Sequence, residues 1–414
     1  MRVLRLSWLA VTALAACVSI TSAADWPHWR GPDRSDVSKE TGLLKKWPES
    51  GPKQVWLNQN AGLGYSGVSV VAGNLYTMGA REDAEYVICL DANTGTEKWA
   101  SKVGSILDNG WGNGPRGTPT VDGNRVYAMG GTGGLVCLKV DDGSEVWRTG
   151  MSDLGGGRPN WGYCESVLVD GPRVVCTPGG KQGAIAAFNK ENGEVLWRST
   201  DLTNGAQYAS IVPATIHGKA QYVQLFQDAV AAVSPEDGKL LWKADWPGKT
   251  AVIPTPIVVN NQVFVTSGYG VGCTLIQIDA ENKAKEVYFN KNMKNHHGGV
   301  LLLGEHLYGH SDGVGWMCLD LKTGDITWNE RGALGKGCVT SADGMLYCVD
   351  EASGEIALVE ASPKGWHEIS RFKMTPQSTK RSARGRIWTH PVVSNGKLYV
   401  RDQDMLFCYD VKAE

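Results

Sequence analysis

One short pattern recurs along the chain and limits what the chain can fold into. An apolar strand leads to an acidic or amide turn, then a glycine, and then a tryptophan four residues after it. Five copies keep this spacing, at Gly95/Trp99, Gly143/Trp147, Gly193/Trp197, Gly238/Trp242 and Gly324/Trp328. Their spacing of about 40–50 residues along the first four copies is the period of a four-stranded β-propeller blade. The pattern therefore predicts a propeller.

Three weaker copies bring the predicted number of blades to eight. Residues 278–282 form the turn, but Tyr288 replaces the tryptophan, and residues 358–361 run into Gly365-Trp366 with altered spacing. Residues 398–410 form a last half-copy without an outer strand, and residues 54–56 form an outer strand without a blade. Pairing these two would close the ring and remove the exposed sheet edges. We expect an all-β, eight-bladed propeller of four-stranded antiparallel blades over residues 54–414, closed by the N-terminal outer strand.

Composition agrees with this architecture. The 414 residues include 52 glycines and 16 tryptophans but only 6 phenylalanines, which favours short strands, tight turns and a regularly placed bulky anchor. Each repeat glycine permits a positive φ in its turn, and each repeat tryptophan is predicted to wedge between neighbouring blades. We interpret these ten residues as structural.

The N-terminus has the features of an export signal. Arg2 and Arg5 precede an apolar stretch, residues 6–16, that is too short to span a bilayer, and Ser22-Ala23-Ala24 offers small residues for cleavage. Residues 1–24 are therefore predicted to be a signal peptide, which leaves no transmembrane segment in the mature chain. The alternative is a lipobox, residues 14–17, in which Cys17 would be lipidated. We expect a periplasmic or extracellular protein, or one anchored by lipid to the outer membrane.

The cysteines leave the disulfide state open. Nine remain after Cys17, so at least one thiol is free or pairs between chains. Four occupy equivalent places before the repeat turn and are expected to be small buried residues: Cys89, Cys137, Cys318 and Cys408. Cys164 and Cys176 flank the turn at residues 170–171, where either a cross-hairpin disulfide or two free thiols would fit.

Charge and motifs exclude several classes of function. The formal net charge of −2 gives no reason to expect a nucleic-acid partner. The sequence has no Gly-x-Ser-x-Gly elbow, no His-Glu-x-x-His and no phosphate loop, and residues 130–134 fit a glycine-rich hairpin loop. Neighbouring residues of a strand point to opposite faces, so His296 and His297 would not chelate one metal together. We expect no metal site, and a monomer.

The repeat Leu90-Asp91-Ala-x-Thr-Gly-x-x-x-Trp99 resembles that of the pyrroloquinoline-quinone (PQQ) enzyme-like propeller superfamily. The resemblance covers residues 54–410, and residues 25–32 look like the leader of bacterial PQQ-like repeat proteins. It implies a propeller fold but two different functions. The superfamily contains quinoprotein alcohol dehydrogenases, and also the cofactor-free propeller lipoprotein of the outer-membrane assembly machinery, to which this chain is closer in size.

The resemblance to the dehydrogenases implies PQQ on the propeller axis beside Ca²⁺, held by Glu, Asn and Asp. The sequence lacks the adjacent cysteine pair of many such enzymes and has no Cys-x-x-Cys-His for a haem, and no residue matches the ligands. We therefore favour a non-catalytic exported scaffold without a cofactor, acting in envelope protein assembly. The alternative is a PQQ- and Ca²⁺-dependent alcohol dehydrogenase.

The segments that enter the innermost strands carry aromatic and basic residues and should surround the axis. They are Tyr65, Trp111, Asn113, Arg116, Arg158, Trp161, Tyr208, His297, Lys336, Arg386 and Trp388. Such a set would hold a protein segment or a small anionic or sugar-like ligand. The alternative is a structural role, with nearby glycines permitting close packing at the axis. Trp26 and Trp29, in the predicted leader of residues 25–53, are expected to plug the propeller.

Overall fold

The structure, a computed structural model, describes residues 25–413. Residues 1–24, with the predicted signal peptide and Cys17, lie outside the described part. The described chain forms eight blades, each with four antiparallel strands, and one short 3₁₀ turn at Ser152–Leu154. The expected eight-bladed propeller is confirmed. Between residues 25 and 413 no helix has the length and apolar character needed to cross a membrane.

The first four blades follow one another in the chain, each a simple up-and-down sheet. Blade 1 contains Ser69–Val71, Asn74–Arg81, Ala84–Asp91 and Glu97–Gly104. Blade 2 contains Thr120–Asp122, Arg125–Met129, Gly134–Lys139 and Glu145–Gly150. Blade 3 contains Leu168–Asp170, Arg173–Cys176, Ala186–Asn189 and Val195–Arg198. Blade 4 contains Val212–Ile216, Lys219–Leu225, Ala229–Val233 and Leu240–Asp245.

The remaining blades continue this order up to the last. Blade 5 contains Ile257–Val259, Gln262–Ser267, Gly272–Ile278 and Ala284–Asn290. Blade 6 contains Val300–Leu303, His306–Ser311, Gly315–Asp320 and Ile326–Glu330. Blade 7 contains Gly337–Ala342, Met345–Asp350, Glu355–Glu360 and Glu368–Lys373. Blade 8 contains Val392–Ser394, Lys397–Asp402 and Met405–Asp410, completed by Lys53–Asn58 from the N-terminal side.

The ring closes as the sequence predicts. Lys53–Asn58 pairs antiparallel with Met405–Asp410, and Trp56 stands opposite Cys408. A second N-terminal strand, Val37–Ser38, adds in parallel to the inner strand Gly337–Ala342 of blade 7. These two N-terminal strands thereby pair with the last two blades.

Four of the five repeat tryptophans, and Trp56 of the closing strand, join one blade to the next. The indole N–H of Trp99 donates to the carbonyl of Val140, and that of Trp147 to Lys190, at 3.0 and 2.9 Å. The same bond runs from Trp56 to Ala92, from Trp197 to Pro235 and from Trp328 to Ser362. Each acceptor lies three residues before the turn glycine of the following blade.

The turn glycine leaves space for the tryptophan ring of the preceding blade. A Cβ on Gly193 would lie 2.7 Å from the ring of Trp147, and one on Gly143 would lie 2.5 Å from Trp99. The φ of Gly193 is also positive, at 75°, which favours glycine. In the pattern Gly-x-x-x-Trp, the glycine therefore contacts the preceding blade and the tryptophan contacts the following blade. Each such contact between two blades is a joint. We name the end of the propeller that carries these turns the joint end.

The pattern is altered at three places. In blade 5, Tyr288 replaces the tryptophan and donates to Leu321 at 2.9 Å. Because the turn of blade 5 has no glycine, the indole of Trp242 bonds instead to Gln221 in its own blade, at 2.7 Å. In blade 7, Trp366 follows Gly365 directly and lies beside Trp316 and Trp328 before the outer strand begins, so it does not occupy the repeat position.

All nine cysteines of the described chain are free thiols. Cys89 lies between Tyr76 and Trp99 in its sheet, as the small buried neighbour that the sequence predicts. Cys164 and Cys176 do not form the disulfide that their positions left open. The sulfur of Cys176 instead faces the sulfur of Met151, at 3.6 Å.

Candidate functional site: the axial cavity

The cavity lies on the axis, at the end of the propeller opposite the joint end. Its walls come chiefly from the loops that connect the fourth strand of one blade to the first strand of the next. We name this the cavity end. The space measures about 380 Å³, a size found for small-molecule sites.

The N-terminal leader forms the floor of the cavity. It approaches from the joint end, where Asp25 accepts a bond from Ala72, and it returns there at Leu43, whose amide donates to Asp343. Between these points the leader crosses the axis, and Trp29 and Arg30 face the cavity from below.

Two buried arginines fix the leader to opposite sides of the ring. Arg34 donates to the carbonyls of Val167 and Ile211, beside blades 3 and 4, at 2.6 and 2.9 Å. Arg30 donates to the carbonyl of Val300 in blade 6 at 2.6 Å and pairs with Asp36 at 2.8 Å. Backbone carbonyls accept from the terminal nitrogens of both buried guanidiniums, although Nε of Arg34 has no hydrogen-bond partner among the described residues. The leader is therefore built into the core.

The walls of the cavity are mostly aromatic. Trp388 stands at their centre, with ring centroids 4.9 Å from Tyr65, 6.4 Å from Trp111 and 5.1 Å from His297. Opposite it, Trp161 and Tyr208 form an edge-on pair, and the other aromatic members are Trp29 and Tyr269. Rings held at such angles present both faces and edges to a ligand.

A hydrogen-bonded chain runs along one wall. The Nζ of Lys336 donates to Nδ1 of His296 at 2.7 Å and to Asp312 at 2.8 Å. Since an ammonium group only donates, Nδ1 of His296 accepts, and the ring proton sits on Nε2, 2.8 Å from the hydroxyl of Tyr269. Burial, with the charge of Lys336, lowers the pKa of His296 to about 4, so this imidazole is neutral.

A second titratable pair joins the wall residue His297 to Glu351, which does not line the cavity. Nε2 of His297 is 3.4 Å from Glu351, while its Nδ1 is buried with no hydrogen-bond partner among the described residues. Burial holds the pKa of His297 well below its usual range. Burial also raises the pKa of Glu351 to about 7. His297 is therefore neutral at neutral pH, while Glu351 is about half protonated.

The cavity is rich in positive charge. The guanidinium of Arg116 lies over the ring of Tyr65 at 5.3 Å, and that of Arg384 over Trp111 at 5.7 Å. No aspartate, glutamate, asparagine or glutamine is among the described residues that line the cavity.

Seven of the eleven predicted site residues face the cavity, namely Tyr65, Trp111, Arg116, Trp161, Tyr208, His297 and Trp388. The other four do not line it. Asn113 caps its own loop by accepting from Asn109, and Lys336 stands behind His296. Arg158 and Arg386 are exposed.

Sequence reasoning missed several lining residues. It assigned Trp29 and Arg30 to the plug or to the leader and gave them no place in the cavity wall. It also omitted Tyr269, which lies in the turn between the second and third strands of blade 5. In an up-and-down blade this turn and the loops between blades lie at the same end of the sheet, so strand order places Tyr269 at the cavity end.

The lining residues do not fit a calcium-held quinone. Ca²⁺ in proteins takes about 6–8 oxygen ligands, mostly carboxylate and amide. The described lining offers hydroxyl oxygens and backbone carbonyls but no such side chain, and it places Arg116 at the cavity. Among residues 25–413 no group of three His, Cys, Asp or Glu side chains is arranged to hold a metal ion.

Comparison with known proteins gives one family match. A family model described as outer membrane protein assembly factor BamB matches residues 50–330, from the closing strand through blade 6. The BamB assembly factor of Shigella dysenteriae is 25% identical, with 75% of this chain and 77% of that protein covered. That of Burkholderia pseudomallei is 24% identical, with 63% and 74% covered.

Two solved structures illustrate the shared fold. BamB from Moraxella catarrhalis superposes with a TM-score of 0.60 at 15% identity, covering 87% of this chain and 99% of that one. Quinohemoprotein alcohol dehydrogenase from Comamonas testosteroni gives a TM-score of 0.66 at 11% identity, covering 94% and 81%. Since an assembly factor and an alcohol dehydrogenase score alike, these likenesses establish the propeller and leave function to the site.

Proposed function

The chain belongs to the family described as outer membrane protein assembly factor BamB, and from this premise we propose that it is an exported, non-catalytic scaffold in envelope protein assembly. The observation that carries the proposal is the family match across residues 50–330, which includes six blades. The axial cavity supports it, because aromatic walls and guanidiniums suit binding and the lining lacks the side chains for a calcium-held quinone.

We further propose that residues 1–24 direct export and that the mature chain works as a monomer in the periplasm or outside the cell. One chain closes its own ring through Lys53–Asn58, so no second copy is needed to cover a sheet edge. Mass spectrometry of the mature N-terminus distinguishes the two processing routes. A start at Asp25 indicates a soluble protein, and a lipidated Cys17 indicates a membrane anchor.

The function is tested by capture of partners from the cell envelope. The tagged full chain is cross-linked in its host, purified and analysed by quantitative mass spectrometry. We expect enrichment of outer-membrane assembly proteins. The matched control is the same chain without residues 1–24, which stays in the cytoplasm and should recover none of them. Equal recovery with both chains, or no enrichment with the exported chain, would contradict the proposal.

The enzyme alternative needs its own measurement, because the fold is shared with a quinohemoprotein alcohol dehydrogenase. The purified chain is incubated with PQQ and Ca²⁺, and dye-linked oxidation of alcohols is followed. We expect no turnover above that of free PQQ. A stoichiometric complex with sustained oxidation would replace the scaffold by an enzyme.

A further inference from the structure

The shape of the cavity restricts what can enter it. The leader crosses the axis below the cavity and is bonded to blades on both sides through Arg30 and Arg34. The space is therefore a pocket that opens only at the cavity end. A pocket of about 380 Å³ with a closed floor admits a small molecule or the end of a chain, and it excludes a polymer that threads through the ring.

The free hydrogen-bonding groups at the wall are predominantly donors. The hydroxyl of Tyr269 accepts from His296, that of Tyr208 from the backbone of Trp161, and that of Thr255 from the indole of Trp29. Each hydroxyl thus uses a lone pair within the protein and keeps its own O–H for a ligand. The ligand that complements these donors carries several oxygen acceptors.

Two arginines supply positive charge beside the aromatic rings of the cavity. Arg116 and Arg384 rest on the outer aromatic rings, and neither is ion-paired to a carboxylate within residues 25–413. Arg116 uses two of its donors on the carbonyls of Gly112 and Gly114, which fixes the guanidinium in place. A carboxylate is the group that a guanidinium binds best.

These three features select one ligand chemistry. A ring with apolar C–H faces packs on Tyr65, Trp111 and Trp388, while its hydroxyl oxygens meet the O–H donors and its carboxylate meets Arg116. We propose that the axial cavity binds an acidic sugar, a pyranose ring bearing a carboxylate, presented alone or at the end of a glycan. The inference rests on the proposed function in treating the cavity as a binding site rather than a catalytic one.

The test is calorimetric titration of the full mature chain with D-glucuronate and D-galacturonate at physiological ionic strength. D-Glucose is the matched neutral probe, since it differs from glucuronate only at the carboxylate. We expect 1:1 saturable binding of at least one uronate, about tenfold or more tighter than glucose. Benzoate, which has the charge and a flat ring but no hydroxyls, should bind more weakly than that uronate.

Variants locate the binding site. Arg116→Met, Arg384→Met and Trp111→Ala should each weaken uronate binding about tenfold or more, since the first two remove positive charge and the third removes a stacking face. Arg125→Met is the matched control, because Arg125 lies in blade 2 next to a turn at the joint end, and its binding should equal that of the unaltered chain. Unchanged thermal unfolding of Arg384→Met separates lost binding from lost folding.

Several results would overturn the inference. One is the absence of binding for both uronates up to about 10 mM. Others are equal affinity for glucose, tighter binding of benzoate or PQQ, and binding unaffected by Arg384→Met and Trp111→Ala. If the chain captures assembly partners but binds no uronate, only this inference fails. If it shows PQQ-dependent alcohol oxidation, the proposed scaffold function fails.

Discussion

The two ends of the propeller use tryptophan for different purposes. At the joint end, Trp99 and Trp147 lie between blades, donate to a backbone carbonyl of the next blade and cover a glycine. At the cavity end, Trp111 is 40% exposed and Trp388 is half-buried beside Tyr65. The indole N–H groups of Trp99 and Trp147 are thus hydrogen-bonded within the protein, whereas Trp111 and Trp388 face the cavity.

The resemblance to the PQQ-like superfamily rests on the joint end of the propeller. Every element of the repeat that defines the superfamily, glycine, turn and tryptophan, serves a joint. The residues around the cavity come from loops that the repeat does not specify. The repeat therefore argues for the fold, and the character of the loops argues for the ligand.

The largest expected effect is at a joint. Trp147→Ala removes a buried ring, the bond to Lys190 and the cover of Gly193, so we expect the free energy of unfolding to fall by about 3–5 kcal/mol. Urea denaturation followed by circular dichroism measures the change. A loss below about 1 kcal/mol would remove the structural role that we assign to the repeat.

Glu351 provides the next test, at the cavity end. Its pKa is raised from 4.5 to about 7 by burial, so the folded state holds this proton more tightly than the unfolded chain. The free energy of unfolding therefore declines as the pH rises from 4.5 to about 7, and the full loss of stability is reached above that interval. Glu351→Gln should be more stable than the unaltered chain by about 2–3 kcal/mol at about pH 8.

The same comparison at low pH is the control for Glu351→Gln. Below about pH 4.5 the carboxyl is protonated in both the folded and unfolded states, and the neutral glutamine resembles it closely. The two chains should then have nearly equal unfolding free energies. A stability difference independent of pH would contradict the raised pKa.

A smaller effect isolates the contact between glycine and tryptophan. Gly193→Ala places a Cβ 2.7 Å from the Trp147 ring, whereas Gly218→Ala meets nothing within 4 Å at nearly the same φ, 73° against 75°. Both variants carry the cost of a left-handed backbone, so their difference reports the clash alone. We expect Gly193→Ala to lose about 1–2 kcal/mol more in urea unfolding, and equal losses would refute the joint geometry.

The smallest expected stability change is at Trp111. Trp111→Ala removes an exposed ring, so the free energy of unfolding should change by less than about 0.5 kcal/mol. Thermal and urea unfolding, run beside Trp147→Ala, measure the contrast between the two ends. A loss comparable to that of Trp147→Ala would show that Trp111 has a structural role and would contradict the contrast between the joint end and the cavity end.

The sequence predicted the joints better than the cavity for a physical reason. A joint depends on residues a fixed number of positions apart, so Gly95/Trp99 and its four equivalents stand out, as does the closing strand at Trp56. The repeat tryptophan of blade 4 was recognised, but its bond to Gln221 was not, because the change follows from the altered turn of blade 5.

The cavity depends on contacts without a period. Arg30 donates a hydrogen bond to Val300, which lies 270 residues further along the chain, and no local sequence pattern indicates such a contact. Irregular loops also give no rule for which side chain points inward, so Arg158 and Arg386 were grouped with residues that face the cavity. The participation of the eleven predicted residues in ligand binding stays a prediction.

The division between the two ends is tested most directly by hydrogen exchange of the tryptophan side chains, followed by NMR on the native protein. We expect slow exchange for the indole N–H groups of Trp99, Trp147 and Trp197, which are bonded to carbonyls inside the joints. Exchange should be many times faster at Trp111, whose ring is exposed. Equal exchange rates at Trp147 and Trp111 would refute the division between the two ends.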